Sequence, residues 1–387
     1  MKIAVLGLRG MPDVMGGIET HCEQLYPRML KLAPELNITV LARSPYVPKG
    51  TISYKGITVR PIFAVKHVYF ETIAHTFLGL LYARFSVRAD VVHIHAIGPG
   101  LLIPLAKLLG LSVVFTHHGE DYRRDKWNGV AKQALRMGEH MAARFSDRMI
   151  SVSRPVARSL AVRNPKLADR IRPIPNGASV TSDLPHDREA ADAALERIGV
   201  SRGNYAMTVA RLVPEKGIHD LLDAVSDLPG DMKLVVVGGA QLQNSYSDSL
   251  LARAGDRIIF TGELLRSEIM PLYRNTALFV LASYHEGLPI AALEALALGA
   301  RVLLSDIEAN RDLELPATNY YPVGNVEALR AKLEAIGSIP AGNADVILSR
   351  YDWNVVAKET ADVFREMSKS RASFEDADLK TAGGGSR

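Results

Sequence analysis

Two acidic residues flank an apolar turn in the segment HEGLPIAALEALALG, residues 285–299. The apolar strand LFVLAS precedes this segment, Pro289 suits the first turn of a helix, and Gly299 suits the position that ends it. Glu286 is therefore predicted in a loop before the helix, and Glu294 just over one turn inside it. Free amides at a helix start bind anions, and carboxylates beside them can accept hydrogen bonds from hydroxyls. A phosphate with hydroxyls on both sides describes a sugar nucleotide.

Two cations upstream favour this interpretation over the alternative, in which the acids are solvated or paired surface groups. Arg211 and Lys216 follow the predicted strand YAMTVAR, and two cations in that loop could neutralise a diphosphate. Gly239 and Gly262 follow two further predicted strands, KLVVV and RIIF. All these residues are expected at the carboxyl edge of one parallel sheet, where open α/β sheets bind ligands. Glycine there would let a base or ribose approach the backbone.

Short, continuous apolar strands alternate with helical patterns along the chain, which is typical of parallel sheets in layered α/β units. The sequence therefore predicts two Rossmann-like domains, over residues 1–178 and 179–350. An amphipathic helix is predicted over 351–367. Residues 368–387 contain almost no large apolar side chains and are predicted to be a disordered tail.

Composition narrows the class of protein. The chain has 387 residues, of which 48% are hydrophobic and 23% charged, as in soluble globular proteins. Its one cysteine, Cys22, excludes a disulfide framework within the chain and is interpreted as a small buried residue, which favours a reducing, cytoplasmic compartment. We expect neither a signal peptide nor a spanning helix, because no apolar run reaches the roughly 18 residues that a span needs.

Taken in order, these motifs resemble the retaining glycosyltransferases of the GT-B type, in the large family 4 (group 1) that includes glycogen synthase-like and mannosyltransferase-like members. The resemblance covers about residues 1–366 and depends on GGIETH, IPNG at the domain junction, VARLVPEKG, the paired glycines after a strand, and the E-x7-E of EGLPIAALE. It implies two domains facing across a cleft, with the helix over 351–367 crossing back to the first domain. It also implies sugar transfer from a nucleoside-diphosphate sugar by front-face attack.

The resemblance implies a role for each matching residue. Arg211 and Lys216 would bind the donor diphosphate and stabilise the charge that develops on it. Glu294 would hold the ribose hydroxyls, and Glu286 the hydroxyls of the donor sugar. His118, after the strand SVVFTH, matches a family residue beside the donor sugar and diphosphate, whereas the nearby histidines are interpreted as packing residues. The donor site would also include Gly16, Gly17, Gly239, Gly262, Gly287, Leu288 and Pro289.

No cofactor or metal ion is expected, because the predicted loops of the two domains contain no D-x-D triplet. A narrower resemblance concerns HHGEDYRRDKW, residues 117–127, which is similar to a signature of bacterial rhamnosyltransferase-like members that build capsule and O-antigen repeats. Asp121 and Tyr122 replace the Glu and Trp of that signature, so the donor sugar and base stay open.

The first half of the chain suggests where the acceptor is found. Residues 1–178 carry 25 Lys and Arg against 12 Asp and Glu, whereas residues 179–387 carry 21 against 30. The stretch KHVYFETIAHTFLGLLYARF, residues 66–85, is amphipathic, and a basic helix contains Lys132 and Arg136. Basic, aromatic helices favour a membrane surface, so we expect a glycan or lipid-linked acceptor and peripheral contact with the inner leaflet. Alternatively, both helices only cover the sheet. The acidic second half argues against nucleic-acid binding.

Other functions fit the same elements. A sugar-nucleotide epimerase of this architecture would need a carboxylate base facing the sugar carbon. A non-catalytic relative could act as a scaffold in a polysaccharide assembly complex. A dinucleotide-binding oxidoreductase fits poorly, because GLRGMPDVMGG lacks the G-x-G-x-x-G pattern.

Overall fold

The computed structural model describes residues 1–65, 70–123, 127–178, 188–240 and 244–382. These residues form two parallel-type sheets, one in each half of the chain, with helices packed against them. The prediction of two Rossmann-like α/β domains is confirmed. Part of the RRDKW motif and the first residues of the 66–85 stretch lie outside the described residues.

The first sheet is built from strands that are buried on both faces, which explains their continuous apolar runs. The strands are β1 (Lys2–Leu6), β2 (Asn37–Arg43), β3 (Ile52–Tyr54), β4 (Ile57–Ile62), β5 (Val91–His95), β6 (Ser112–His117), β7 (Arg148–Ser151) and β8 (Ile171–Pro173). Their order is β3-β4-β2-β1-β5-β6-β7-β8, and among the strand pairs of the described residues only β3 and β4 are antiparallel. The helices are α1 (Gly17–Leu32), α2 (Phe70–Tyr82), α3 (Ile97–Gly100), α4 (Ile103–Leu108), α5 (Gly129–Phe145) and α6 (Arg154–Arg163).

The second sheet is smaller and parallel throughout its described pairs. Its strands are β9 (Tyr205–Val209), β10 (Lys233–Val237), β11 (Ile258–Gly262), β12 (Leu278–Leu281), β13 (Val302–Ser305) and β14 (Tyr320–Tyr321), in the order β11-β10-β9-β12-β13-β14. The helices are α7 (Arg188–Ile198), α8 (Ile218–Ser226), α9 (Ser245–Leu251), α10 (Arg266–Asn275), α11 (Ile290–Ala297), α12 (Glu308–Arg311), α13 (Val326–Glu334), α14 (Ala344–Tyr351) and α15 (Trp353–Ala382).

The last helix, α15, belongs to the second half of the sequence but packs on the first domain. Its Trp353 and Phe364 are fully buried in the same core as Ile3 and Tyr26. Gly177, between the two domains, makes room for this crossing, because an added Cβ there would lie 2.6 Å from the Trp353 ring. The chain therefore passes between the two domains twice, once after β8 and once at the start of α15.

The expected disordered tail from residue 368 is wrong as far as Ala382, because α15 continues to that residue. Between Trp353 and Ala382 the chain contains no Gly or Pro and many good helix formers, so local propensity extends the helix without large apolar side chains. The run of glycines begins directly afterwards. Residues 383–387 lie outside the described residues.

Candidate active site

A cleft of about 1400 Å3 lies between the two sheets. Loops after β1, β5 and β6 line it from the first domain, and loops after β9, β11 and β12 line it from the second. Since these loops all follow the carboxyl ends of parallel strands, the cleft lies where α/β sheets bind ligands.

One wall of the cleft carries a pair of opposite charges. Lys216 ends the short 3-10 turn Pro214–Lys216 after β9, and its Nζ donates to Glu286 Oε1 at 2.5 Å. The same oxygen accepts a hydrogen bond from Ser283 Oγ at 2.7 Å. Both charged side chains are mostly buried, so their interaction is less screened than a surface ion pair. Lys216 and Ser283 therefore fix the position of the Glu286 carboxyl group at the start of the loop that leads into α11.

A second cation, Arg211, lines the cleft beside this pair. Its guanidinium lies 3.9 Å from Glu215, which is buried in the 3-10 turn. Arg211 and Lys216, which the sequence predicted to act together, thus both reach the same hollow from one loop.

The start of α11 faces the cleft, with Gly287, Leu288 and Pro289 in its lining. Pro289 is the residue before the first helical residue, one position earlier than predicted. Glu294 is buried one turn inside α11 and forms an ion pair with Arg266, the first residue of α10. Arg266 also lines the cleft, and the sequence analysis missed it because its partner is 28 residues away.

The first domain supplies the opposite wall. Gly16 caps the start of α1 with a φ of 151°, and an added Cβ would lie 2.0 Å from Glu19 Oε2. Gly17 has open space around its Cα, so the start of α1 is accessible from the cleft. Arg9 was also missed: it follows β1, its backbone N–H and Nε donate to Glu19 Oε1 at 2.9 and 3.1 Å, and it lines the cleft.

His118 directly follows β6 and lines the cleft with one edge. Its Nε2 is 2.8 Å from Nδ1 of the buried His95. Burial, with a smaller contribution from the neighbouring His21, lowers the pKa of His118 well below its usual value. The ring is therefore neutral near pH 7 and presents a hydrogen-bonding nitrogen, not a charge, to the cleft.

Asn176, from IPNG, connects the two walls. Its Nδ2 donates to the carbonyl oxygen of Leu288 at 2.7 Å, and its Oδ1 is 2.8 Å from His21 Nδ1. Because the amide nitrogen already donates to Leu288, Oδ1 must accept from a protonated His21 Nδ1. This buried amide ties α1 of the first domain to the start of α11 in the second.

Gly239 and Gly262 lie at the carboxyl ends of β10 and β11 as predicted but do not line the cleft, and their contact with the donor stays a prediction. Glu263 and Leu264, directly after β11, line it instead. The adjacent Gly238 donates its N–H to the Gly262 carbonyl at 2.9 Å, so these glycines join the two loops to each other. An added Cβ on Gly238 would lie 2.0 Å from the Ala210 carbonyl oxygen, so close backbone packing accounts for a glycine after β10.

Comparison with known families identifies the two domains separately. The model described as Glycosyltransferase Family 4 matches residues 15–181, and the model described as Glycosyl transferases group 1 matches residues 196–353. The chain is 25% identical over 402 residues to the alpha-maltose-1-phosphate synthase of Mycolicibacterium smegmatis, covering 95% of this chain and all of that protein. It is 28% identical over 237 residues to the UDP-Gal:alpha-D-GlcNAc-diphosphoundecaprenol alpha-1,3-galactosyltransferase of Escherichia coli, covering 58% and 60% of the two chains.

Solved structures share the fold. The sucrose-phosphate synthase of Thermosynechococcus elongatus has a TM-score of 0.78 at 19% identity, covering 95% of this chain and 99% of that one. The HepE protein of Anabaena, in complex with UDP and glucose, has a TM-score of 0.75 at 17% identity, covering 95% and 100%. The narrower resemblance to rhamnosyltransferase-like members stays a prediction. With both of its domains matched and a GT-B fold around the interdomain cleft, the chain belongs to the group 1, family 4 glycosyltransferases.

Proposed function

We propose that this glycosyltransferase transfers a hexosyl or deoxyhexosyl group from a nucleoside-diphosphate sugar, with retention, to a glycan or lipid-linked acceptor in polysaccharide biosynthesis. The observation that carries the proposal is the convergence of Arg211, Lys216 and the start of α11 on one hollow. Two cations and free helix amides there suit a diphosphate. Glu286 and Glu294 lie on the two sides of that helix start and suit hydroxyl groups of a sugar and a ribose.

The charges of the site suit the chemistry of this reaction. As the bond between the anomeric carbon and the diphosphate oxygen breaks, negative charge grows on the diphosphate, and preorganised cations stabilise it. The sugar becomes oxocarbenium-like, so contacts that fix its hydroxyls matter. In front-face attack the acceptor oxygen bonds to the same face of that carbon, and its proton passes to the departing phosphate oxygen. Glu286 then acts as a hydrogen-bond acceptor for the sugar, and no protein base or metal ion is required.

Ligand-induced stabilisation tests the donor. UDP-, GDP-, dTDP- and ADP-sugars are screened by thermal unfolding, and a ligand at 100 times its dissociation constant should stabilise the protein by about 2.7 kcal/mol. The proton coupling of the anomeric centre in the product then reports retention. If the protein converts the donor to an epimer in the absence of an acceptor, it is an epimerase and the transferase proposal is wrong. Absence of both binding and turnover with every sugar nucleotide would favour a scaffold.

A lipid-linked acceptor is supported by the surface beside the cleft. Phe70, Ile73 and Phe77 lie on one face of α2 and are 67%, 42% and 44% exposed. The opposite face covers the sheet, where an added Cβ on Gly79 would lie 2.4 Å from Leu6 Cδ2. The helix therefore covers the sheet and also presents apolar side chains to the outside.

This apolar face reaches the cleft, because Ile73 is part of the lining together with Val130 of α5. Arg84 and Arg88, which follow α2 in the sequence, and Arg136 on α5 are exposed basic residues of the same domain. We propose that this surface contacts the anionic inner leaflet and admits the acceptor. The described parts of the chain contain no helix that is long and apolar enough to cross a bilayer, so contact would be peripheral.

Vesicle co-sedimentation tests this contact. The protein should sediment with phosphatidylglycerol vesicles at low salt, release at high salt, and ignore phosphatidylcholine vesicles. The double variant Phe70→Ser, Phe77→Ser should lose most of this binding. Val162→Ser removes an apolar side chain of α6 that is even more exposed, at 80%, and serves as the control. Equal sedimentation of both variants, or none by the wild type, would count against the membrane proposal.

A further inference from the structure

Three histidines meet at the floor of the cleft in a way that sugar transfer does not require. One ring nitrogen each from His21, His95 and His118 lies within 4.8 Å of the others. His21 and His95 are buried, while His118 has one edge in the cleft. We propose that these three imidazoles bind a nitrogen-preferring transition-metal dication such as Zn2+, with the fourth position open to the cleft.

The hydrogen bonds around His21 leave a lone pair for a metal ion. Its Nδ1 carries the proton that Asn176 Oδ1 accepts, because the Asn176 amide nitrogen donates to Leu288. In a neutral ring the other nitrogen, Nε2, is then unprotonated. Within the described residues, no hydrogen bond to that nitrogen is found.

His95 can present its lone pair in the same way. Its Nε2 is 2.7 Å from the hydroxyl of Tyr26, which is also 2.8 Å from His93 Nδ1. With the proton on His95 Nε2, Tyr26 accepts from His95 and donates to His93. The remaining His93 Nε2–H donates to Thr116 Oγ1 at 2.7 Å. Every group in this buried series is then satisfied, and His95 Nδ1 points a lone pair at His118.

Metal binding needs no net loss of protons from these rings. His95 Nδ1 and His118 Nε2, 2.8 Å apart, now share one hydrogen bond. If the proton of this hydrogen bond moves to the other nitrogen of the ring that carries it, His95 Nδ1 and His118 Nε2 both have a free lone pair. The three rings then keep one proton each, and two of those protons are donated to Asn176 and Tyr26. Metal-binding histidines are characteristically oriented by such a second hydrogen bond.

The distances suit a small dication. Tetrahedral Zn2+ with Zn–N bonds near 2.0–2.1 Å places its ligand nitrogens roughly 3.4 Å apart. This separation lies between the 2.8 Å of the His95–His118 pair and the 4.8 Å limit for the whole group. Imidazole ligands favour Zn2+, Co2+, Ni2+ or Cu2+ over Mg2+ and Ca2+, which prefer oxygen. The site therefore differs in chemistry from the acidic metal loop whose absence the sequence analysis noted.

Titration of the full-length protein with Co2+ tests the proposal. The wild type should bind one equivalent and show the visible absorption bands of a four-coordinate site, which Zn2+ should abolish and a large excess of Mg2+ should leave intact. Zn2+ should also raise the Tm of the wild type. Neither readout involves sugar transfer, so the result is independent of the proposed transferase chemistry.

Variants assign the ligands. Asn176→Ala removes an orienting hydrogen bond and should weaken Co2+ binding about 10–100-fold, and His21→Gln should weaken it further. His140→Gln, on the exposed face of α5, is the matched control and should bind Co2+ as the wild type does. If the wild type shows no saturable band, or if folded His21→Gln binds Co2+ equally well, the site is a hydrogen-bonded packing cluster only. Should His21→Gln fail to fold, the wild-type spectrum and its competition with Zn2+ decide the question alone.

Discussion

Gly287 approaches His118 so closely that a Cβ added to Gly287 would lie 2.0 Å from the His118 carbonyl oxygen. This contact joins the loop after β12 to the loop after β6 by backbone alone. On the other side, His117 holds its loop in place: Nδ1 accepts from the Gly119 N–H at 3.2 Å, and Nε2 donates to Glu139 at 3.0 Å. The two walls of the cleft therefore meet at a point where no side chain fits.

Gly287→Ala should separate these walls. The new Cβ would lie 2.0 Å from a backbone oxygen, which cannot move as a flexible side chain can. The loop before α11 must therefore shift away from His118. We expect donor affinity and transfer rate to fall at least about tenfold, because a displacement of about 1 Å can be very costly in catalysis. Each domain should still fold, since the strain is confined to the contact between them. Binding of nucleoside diphosphate by calorimetry and far-UV circular dichroism measure the two effects.

The control for this substitution is Gly337→Ala in the same domain, where an added Cβ meets no atom within 4 Å. Its binding should match the wild type. Equal affinity in Gly287→Ala and Gly337→Ala would show that the two walls need not touch for ligand binding.

Asn176 allows the hydrogen bond between the domains to be broken separately. In Asn176→Asp the side chain keeps an acceptor for His21 Nδ1 but loses the donor to Leu288. A carboxylate would face that carbonyl oxygen, so we expect a loss of about 1–3 kcal/mol in the free energy of unfolding, from the unsatisfied buried group. Asn176→Ala, which leaves partners on both sides unsatisfied, should lose more.

Urea denaturation measures this difference. Asn325→Asp, at the exposed N-cap of α13, is a suitable control for the added charge, because Asn325 Oδ1 accepts from the Ala328 N–H at 2.8 Å and a carboxylate keeps this bond. If Asn176→Asp unfolds at the same urea concentration as the wild type, the Leu288 hydrogen bond contributes nothing to stability.

The sequence predicted elements and loops well because their signals are local. Pro289 and Gly299, for example, mark the ends of α11 to within a residue. Arg211, Lys216 and Glu286 could be placed together because parallel strands bring their carboxyl ends to one edge. The site residues that directly follow strands could therefore be predicted from the sequence.

Contacts between the two domains could not be predicted from the sequence in this way. Asn176 meets His21 from 155 residues away and Leu288 from 112, and no local pattern specifies such partners. A glycine after a strand suits backbone packing and ligand approach equally, so the sequence could not decide which of the two applies to Gly262. The segment after residue 367 was expected to be disordered because low apolar content was taken to exclude a helix, although propensity alone extends α15.

The two cations of the cleft should contribute unequally to diphosphate binding. Lys216→Ala leaves Glu286 without its ion-pair partner as well as removing a phosphate ligand, whereas Arg211→Ala removes a guanidinium that lies 3.9 Å from Glu215. Hydrogen bonds to charged groups are worth about 1.5–3 kcal/mol, so each change should weaken nucleoside-diphosphate binding by roughly 10–150-fold. Lys216→Ala should show the larger loss, because the unpaired Glu286 repels the phosphate.

Calorimetry at fixed ionic strength gives the dissociation constants. The matched control is Lys358→Ala, on the exposed face of α15, which removes the same charge and should leave binding unchanged. The double variant Lys216→Ala, Glu286→Gln tests the stated reason, because it removes the repelling charge and should recover part of the affinity. A double variant that binds more weakly than Lys216→Ala would instead indicate that Glu286 itself contacts the ligand.

Stability should fall as the pH is lowered through the range in which free histidine gains a proton. Burial lowers the pKa of His21 to about 4 and that of His93 to about 3, from an ordinary value of 6.5. The unfolded chain therefore binds more protons than the folded one between pH 6.5 and about 4, and protons in this range favour unfolding. The stabilisation is fully present above pH 6.5, and His21 alone should account for a loss of about 2 kcal/mol at pH 5.

Urea denaturation at pH 8, 6.5 and 5, with EDTA present, measures how the free energy of unfolding depends on pH. In His21→Gln the loss in free energy of unfolding between pH 8 and pH 5 should be smaller by about 2 kcal/mol, and in His140→Gln it should be unchanged. An equal loss in the wild type and His21→Gln would mean that the pKa of His21 is not lowered in the folded protein.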